Sequence, residues 1–438
     1  MADHYGSAET LMAGLSDAQA LTKWVPKPGP EHRRPCAIDE AVRRSLGRMR
    51  RSQLDLLQFH TWSYLDGPGA WLTQLRGLAA HAGVRHLALC NFDTEHARVA
   101  LACGLPVVSN QVSFSLLDRR AAGDMTALCD ESGLRLLAFG VLCGGLLTDR
   151  YLGRPDLTPE ELAASWSLAK YRRYVECCGG WGVLQRLLAA LRAVANRHVV
   201  DNQPVSIANV ATRWVLQQRA VAAVIVGLKP GHNQHAADNK RAFRFALDAR
   251  DFRTIDAALE AARPLPGDCG DEYRRAPFLT ASGDLSHHLE SVPPAFTPRA
   301  AGRADARRVA SGTVWERLAG FSRAYRVGRT VHVSGTTATD AAGCAVGGAD
   351  AAAQATFALD LVEASLGALG ASRDDVVRTR LYVRRLADWE AVARVHGARF
   401  GGVSPANTLV QAGLVGDEYL VEVEAEAVVA TDALPDPK

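Results

Sequence analysis

The sequence predicts a parallel α/β sheet or barrel followed by a smaller α+β domain. Three observations carry that expectation. Six apolar runs, at residues 21–25, 54–60, 84–90, 106–112, 134–139 and 222–227, alternate with longer helix-patterned stretches. A residue of specific chemistry lies in the later half of each run or just after it: Lys23, His60, Asn91, Gln111, Phe139 and Lys229. Past Pro277 the rhythm breaks, and a different pattern of strands and helices runs to about residue 430.

Each element follows from its composition. Strands buried on both faces read as near-continuous apolar runs, and helical spacers suit right-handed crossovers between parallel neighbours. Residues 1–4 read as a strand stub ahead of the first full run. The stretch from 277 to 311 holds Pro277, Pro293, Pro294 and Pro298 among Gly, Ser and charged residues, the composition of a tail and linker. Beyond it come a strand at 330–334, a long helix near 350–369, a strand at 376–383, a helix at 388–400, and strands at 408–412 and 420–429. Strands with two helices on one face make a compact α+β layer. The expected boundaries are 1–290 for the first domain, 291–308 for a linker and 309–432 for the second.

Composition excludes several partners. The chain has 438 residues, 48% hydrophobic and 22% charged, with 50 Lys+Arg against 47 Asp+Glu. A net charge of +3 with no long single-sign run calls for neither nucleic acid nor a membrane surface. No stretch reaches the ~18 apolar residues of a membrane helix. The nine cysteines show no CxxC pair and no Cys/His cluster, so no metal site is expected. Free thiols suit a reducing compartment, and the expected location is cytoplasmic.

Polar groups at the C-terminal ends of parallel strands are where (β/α)8 barrels keep their chemistry. Taken singly, each is an ordinary solvated strand terminus; a series of them is a pattern. The opening residues Ala2, Tyr5 and Gly6 fit the Asp-x-Ala-x-x-Tyr-Gly turn of the aldo-keto reductases, and the resemblance covers roughly residues 1–275. It implies an N-terminally truncated (β/α)8 TIM barrel, because the motif's Asp would stand immediately before Met1. Tyr5, Lys23 and His60 match the other three members of the catalytic tetrad. The resemblance implies that Asn91 and Gln111 hold the nicotinamide carboxamide and that Phe139 stacks on the ring. Gly140, Leu142 and Gly144 match the loop under the pyrophosphate. Lys229 would meet a ribose 2′-phosphate, with His235, Asp238 and Asn239 at the adenosine end. The implied cofactor is NADPH.

The chemistry explains the residue types. Carbonyl reduction needs a hydride on carbon, which a nicotinamide supplies, and a proton on oxygen. A phenol is a weak acid at neutral pH unless a cation favours its ionised form, the role expected of Lys23 toward Tyr5. His60 would donate to the carbonyl oxygen and orient it. The Asp that usually steadies the lysine is the missing member, so weak turnover is expected of the chain as it stands.

Residues 309–430 resemble the Rid (reactive intermediate deaminase) family, through Val333-Ser334-Gly335-Thr336-Thr337, residues 348–355, residues 375–379, Pro405-Ala406-Asn407-Thr408 and residues 421–425. The resemblance implies a chorismate mutase-like fold, a homotrimer, and a cleft lined by Phe321, Ser334, Asn407 and Glu422. Active members grip a substrate carboxylate with an Arg where this chain has Asn407. A role in trimerisation or ligand binding is therefore expected ahead of imine hydrolysis.

Trp166, Trp181 and Trp214 read as helix core, and Trp24 as a candidate wall of a substrate cavity. His287-His288 reads as linker surface, and Arg384-Arg385 as a solvated strand end. The function expected overall is NADPH-dependent reduction of a small aldehyde or ketone. The alternatives are a nucleotide-binding scaffold with impaired turnover and an imine hydrolase working through the C-terminal domain.

Overall fold

A computed structural model describes residues 1–15, 17–67, 69–227, 233–274, 294–431 and 433–436. The strands of the first large sheet, in chain order, are β1 (Leu21–Trp24), β2 (Leu56–Phe59), β3 (Leu87–Cys90), β4 (Val107–Ser113), β5 (Arg135–Phe139) and β6 (Val221–Val224). Helices among them include α1 (Pro35–Met49), α2 (Ala70–Ala79), α3 (Thr94–Ala102), α4 (Trp166–Cys178), α5 (Ile207–Leu216) and α6 (Asn233–Arg241). The strands keep chain order, β1-β2-β3-β4-β5-β6, in a six-stranded sheet. This is the parallel architecture that the apolar runs predict, with every run carrying a strand.

The C-terminal part holds β7 (Arg299–Ala300), β8 (Ala306–Val309), β9 (Ala324–Val327), β10 (Thr330–Thr337), α7 (Ala351–Ala368), β11 (Val376–Val383), α8 (Trp389–Phe400), β12 (Ala406–Gln411) and β13 (Val421–Val428). These strands form one sheet in the order β12-β11-β13-β10-β9-β8-β7. β11 and β12 run parallel, whereas β13 is antiparallel to both β11 and β10. Helix α7 starts where the Asp350 carboxylate accepts from the Ala353 N–H at 2.9 Å, a local N-cap. Its apolar residues, among them Phe357, Leu359, Val362 and Leu366, are buried.

The chain divides into two compact units that interleave in sequence. The first comprises Met1–Leu87, Glu95–Val107 and His288–Lys438, and the second Ala88–Thr94 and Val108–His287. Within the first, β1 pairs with β2 in parallel, setting Lys23 opposite Gln58 and Trp24 opposite Phe59. Within the second, β4, β5 and β6 pair in parallel.

Several expectations need correction. Residues 1–4 form no assigned strand, although the Met1 and Asp3 nitrogens bond to the carbonyls of Leu21 and Lys23 at 3.3 and 2.9 Å, the alternate spacing of a ladder. Trp166 is 40% exposed rather than core, because it stands at the first position of α4. Trp214 is buried as expected; Trp24, expected as a candidate cavity wall, is buried too, with its ring 5.7 Å from that of Phe59. Arg384 is no solvated strand end: its guanidinium donates to the carbonyls of Tyr419, Leu414 and Gly416 and pins residues 414–419. Lys229 and the His287-His288 pair lie outside the described residues.

Candidate active site

Tyr5, Lys23 and His60 lie in the first unit, each placed by its backbone. Tyr5 sits in a tight turn, its N–H bonded to Ala2 O at 3.1 Å, and Gly6 follows at φ +53°, a conformation that favours glycine. Lys23 lies in β1, and the His60 N–H continues the ladder by bonding to Trp24 O at 3.1 Å. Lys23 and His60 are buried, whereas Tyr5 is 47% exposed. Lys23 Nζ lies 5.0 Å from the centre of the Tyr5 ring, a cation over an aromatic face. Among the described residues no carboxylate is within ion-pair distance of Lys23.

Sequence reasoning passed over the residues that hold this turn. Glu9 is 1% exposed, and its carboxylate accepts from Thr22 Oγ1 at 2.7 Å and from Arg48 at 3.2 Å. Arg48 also donates to Asp3 O at 2.6 Å, and Arg44 to the Asp3 carboxylate at 3.2 Å. The segment carrying Tyr5 is thereby bonded to both β1 and α1. The signal was present in the alternation of Thr22 with Lys23, which puts the two side chains on opposite faces of one strand.

The expected cofactor residues lie in the second unit. Asn91 has φ +56°, and its N–H bonds to Gln111 O at 2.8 Å. Gly270 explains how that conformation is held: a Cβ there would lie 2.0 Å from Asn91 O, and Arg274 donates to the same oxygen at 2.5 Å. Asp268 braces the neighbouring turn by accepting from the Thr94 N–H at 2.7 Å. Burial, and next the charge of Asp93, push the Asp268 carboxyl up to about 6. This strap at residues 267–274 gave no sequence signal beyond its glycines.

Gly140, Leu142 and Gly144 line a cavity of about 460 Å³ together with Ser167, Tyr171, His235, Asp238 and Asn239. Gly140 and Gly144 have φ of +69° and +65°, and a Cβ on either would meet Tyr171 or Ser167 of α4 within 3.0 Å. The loop therefore leaves backbone open to the cavity, the feature a pyrophosphate needs. Asp238 is already engaged, accepting from Ser206 Oγ at 2.9 Å and joining α6 to α5 through Asn209. Phe139 sits half-buried at the end of β5. The residues present thus suit a dinucleotide.

The four residues expected in the C-terminal cleft separate. Phe321 and Glu422 line a cavity of about 570 Å³ with Trp315, Arg323, Gly335 and Thr337. Asn407 is exposed on β12, with its amide donated to Thr379 Oγ1 at 2.9 Å, and Ser334 Oγ donates to Ser322 O at 2.8 Å. The cation in the cavity is Arg323, buried and donating to the carbonyls of Ser334 and Gly335. Glu422 lies against Gly335, where a Cβ would come 2.0 Å from its carboxylate oxygen. Burial, then Glu424, raise the Glu422 carboxyl above its ordinary range, with Arg323 opposing.

No group of three or more His, Cys, Asp or Glu that could hold a metal ion occurs among the described residues. No helix among them is long and apolar enough to cross a membrane. Comparison with known proteins divides the chain in sequence order, whereas the two compact units interleave. Residues 1–260 match the model of the Aldo/keto reductase family, and residues 314–429 that of the Endoribonuclease L-PSP family. The chain is 33% identical over 132 residues to Flagellar radial spoke protein 5 of Chlamydomonas reinhardtii, matching 30% of this chain and only 24% of that protein. An uncharacterized oxidoreductase of Mycobacterium bovis is 27% identical over 236 residues, 53% of this chain and 67% of that one. Among solved structures, a YjgF/YER057c/UK114 family member from Mycobacterium tuberculosis is 41% identical, covering 28% of this chain and 99% of its own, with a TM-score of 0.26.

Proposed function

We propose, from the premise that this chain belongs to the aldo/keto reductase family through residues 1–260, that it reduces a small aldehyde or ketone at the expense of NADPH. The observation that carries the proposal is the buried Lys23 ammonium over the Tyr5 ring, one strand from His60. The nicotinamide, when bound, supplies the hydride.

The chain's own residues do the rest. Tyr5 gives its phenolic proton to the carbonyl oxygen, and the Lys23 ammonium favours the phenolate left behind. His60 donates to the same oxygen and orients it. Asn91 and Gln111 hold the carboxamide, Phe139 offers its face to the ring, and Gly140, Leu142 and Gly144 open backbone toward the pyrophosphate. His235, Asp238 and Asn239 serve the adenosine end, and Lys229 selects the 2′-phosphate by charge. The reductase part spans about residues 1–290 and the appended domain runs to 432; β7 and β8 join its sheet from residue 299, inside the stretch 291–308 expected as a linker. The nine cysteines are all free, which suits a reducing cytoplasm.

The C-terminal domain is proposed to assemble three chains. Exposed Val377, Val410 and Val428 on β11, β12 and β13 supply an apolar surface for that contact. Imine hydrolysis is not proposed, since Asn407 carries no charge with which to hold a carboxylate.

Steady-state oxidation of NADPH by an aldehyde panel tests the reading. Turnover should be measurable, should favour NADPH over NADH, and should vanish in Tyr5→Phe. Lys229→Ala should weaken NADPH several-fold and leave NADH nearly unchanged. Equal losses for both cofactors would remove Lys229 from the 2′-phosphate. Cofactor binding without any turnover would favour a nucleotide-binding scaffold.

A further inference from the structure

The loop after β2 begins at His60 and is tied to the C-terminal domain by a buried relay inside the first unit. His60 lies edge-on to Trp62, ring centres 4.8 Å apart. Two short-range bonds stiffen the turn that follows: Thr61 Oγ1 donates to Ser63 O at 3.0 Å, and the Leu65 N–H to Ser63 Oγ at 3.0 Å. Tyr64 then lies flat on His96 of α3, with the ring planes 5° apart. His96 Nε2 is 2.9 Å from Asp360 Oδ2 of α7. The other Asp360 oxygen accepts from Arg399 of α8 at 2.8 Å, and Arg399 also reaches Glu363 at 2.9 Å and Glu95 at 3.4 Å.

Every link is buried: Tyr64 is 8% exposed, His96 1%, and Asp360 and Arg399 5% each. Burial alone would raise the Asp360 carboxyl, but His96 and Arg399 hold it below its ordinary range. Buried charges of this kind contribute little net stability, yet removing one partner strands the others. Their better-attested use is to fix one arrangement among several. The far side of the loop is fixed as well. Gly69 has φ +67°, and a Cβ there would lie 2.8 Å from the Phe357 ring of α7. Arg76 of α2 pairs with Asp340 at 2.7 Å.

We infer that Asp360 is a positioning residue for the reductase loop: through His96 and Tyr64 it fixes residues 60–66, so the appended domain sets how the carbonyl substrate is held. The effect on turnover rests on the reductase reading; the mechanical tie does not.

The test uses the full chain and the variants Asp360→Asn, Tyr64→Leu and their combination. Amide exchange in peptides covering residues 60–66 should rise about tenfold in each single variant, while peptides from 376–383 stay protected. The double variant should be no worse than the more severe single, since both cut one chain of contacts. With 4-nitrobenzaldehyde as probe, KM should rise several-fold, kcat should change less, and the Kd for NADPH should hold. Unchanged exchange at 60–66, an equal rise at 376–383, or additive losses in the double variant would each overturn the inference. A chain that turns over no aldehyde at all would sink the reductase reading and leave the exchange result to decide the tie.

Discussion

In the proposed reduction, Tyr5 and Lys23 would concentrate the chemistry into two side chains, one exposed and one buried. Replacing Tyr5 with Phe keeps the ring over which Lys23 sits and removes only the proton. General acid catalysis contributes roughly 10²–10⁴ in rate, so kcat should fall by that order while cofactor binding persists. Stopped-flow binding alongside steady-state turnover separates the two. Asp268 offers a second single-residue test. Its carboxyl ionises near 6 in the folded chain against an ordinary 3.8. Between those values the folded state keeps a proton that the unfolded state has released. The stabilisation is therefore complete below about pH 4 and is lost as pH rises to about 6. Asp268→Asn should flatten this part of the stability curve, so its thermal midpoint should change less than the parent's across that window. A parallel fall in both proteins would assign the pH dependence to other groups.

At the scale of elements, the glycine-rich loop after β5 and the helix α4 make one unit of packing. Gly140 faces the Tyr171 hydroxyl at 2.4 Å from an ideal Cβ, with φ +69°. Gly140→Ala combines a backbone penalty of about 1–3 kcal/mol with that collision. Dinucleotide affinity should drop at least tenfold while the C-terminal domain still melts as before; calorimetric titration with NADPH is the measurement. These glycines were readable because they follow an apolar strand. The long helix α7 was readable too, from its apolar run after Asp350. Strands β8 and β9 were not. Their sequences, Ala306-Arg307-Arg308-Val309 and Ala324-Tyr325-Arg326-Val327, place arginine where alternation calls for apolar or neutral residues. Arg326 explains the exception: it is 1% exposed and spends its donors on the carbonyls of Gly328, Leu369, Thr431 and Ala433. The His96–Asp360 contact was equally hidden, because 264 residues separate its partners and neither stands in a motif.

For the whole molecule, the assembly proposal makes a direct prediction. Sedimentation of the full chain should give a trimer, and charge placed on the exposed sheet face, as in Val377→Glu with Val410→Glu, should give monomers. A monomeric parent would end the assembly proposal. Ammonia release from 2-aminoacrylate should stay at background, and release that depends on Arg323 would restore the imine-hydrolase alternative.

The interleaving of the two units bears on how the protein is made. Residues up to Leu87 belong with a domain that begins at His288, and α3 meets α7 only after that domain exists. A ribosome adding roughly 5–20 residues per second needs on the order of tens of seconds to travel from His96 to Asp360. Throughout that interval Tyr64, Trp71 and His96 have left the exit tunnel without the surface that will cover them. Expression at low temperature or with added trigger-type chaperones should then raise the soluble yield, and truncation before residue 300 should send the nascent chain to inclusion bodies. The second domain thus arrives late to cover part of the first, and the order of synthesis becomes part of what the sequence has to survive.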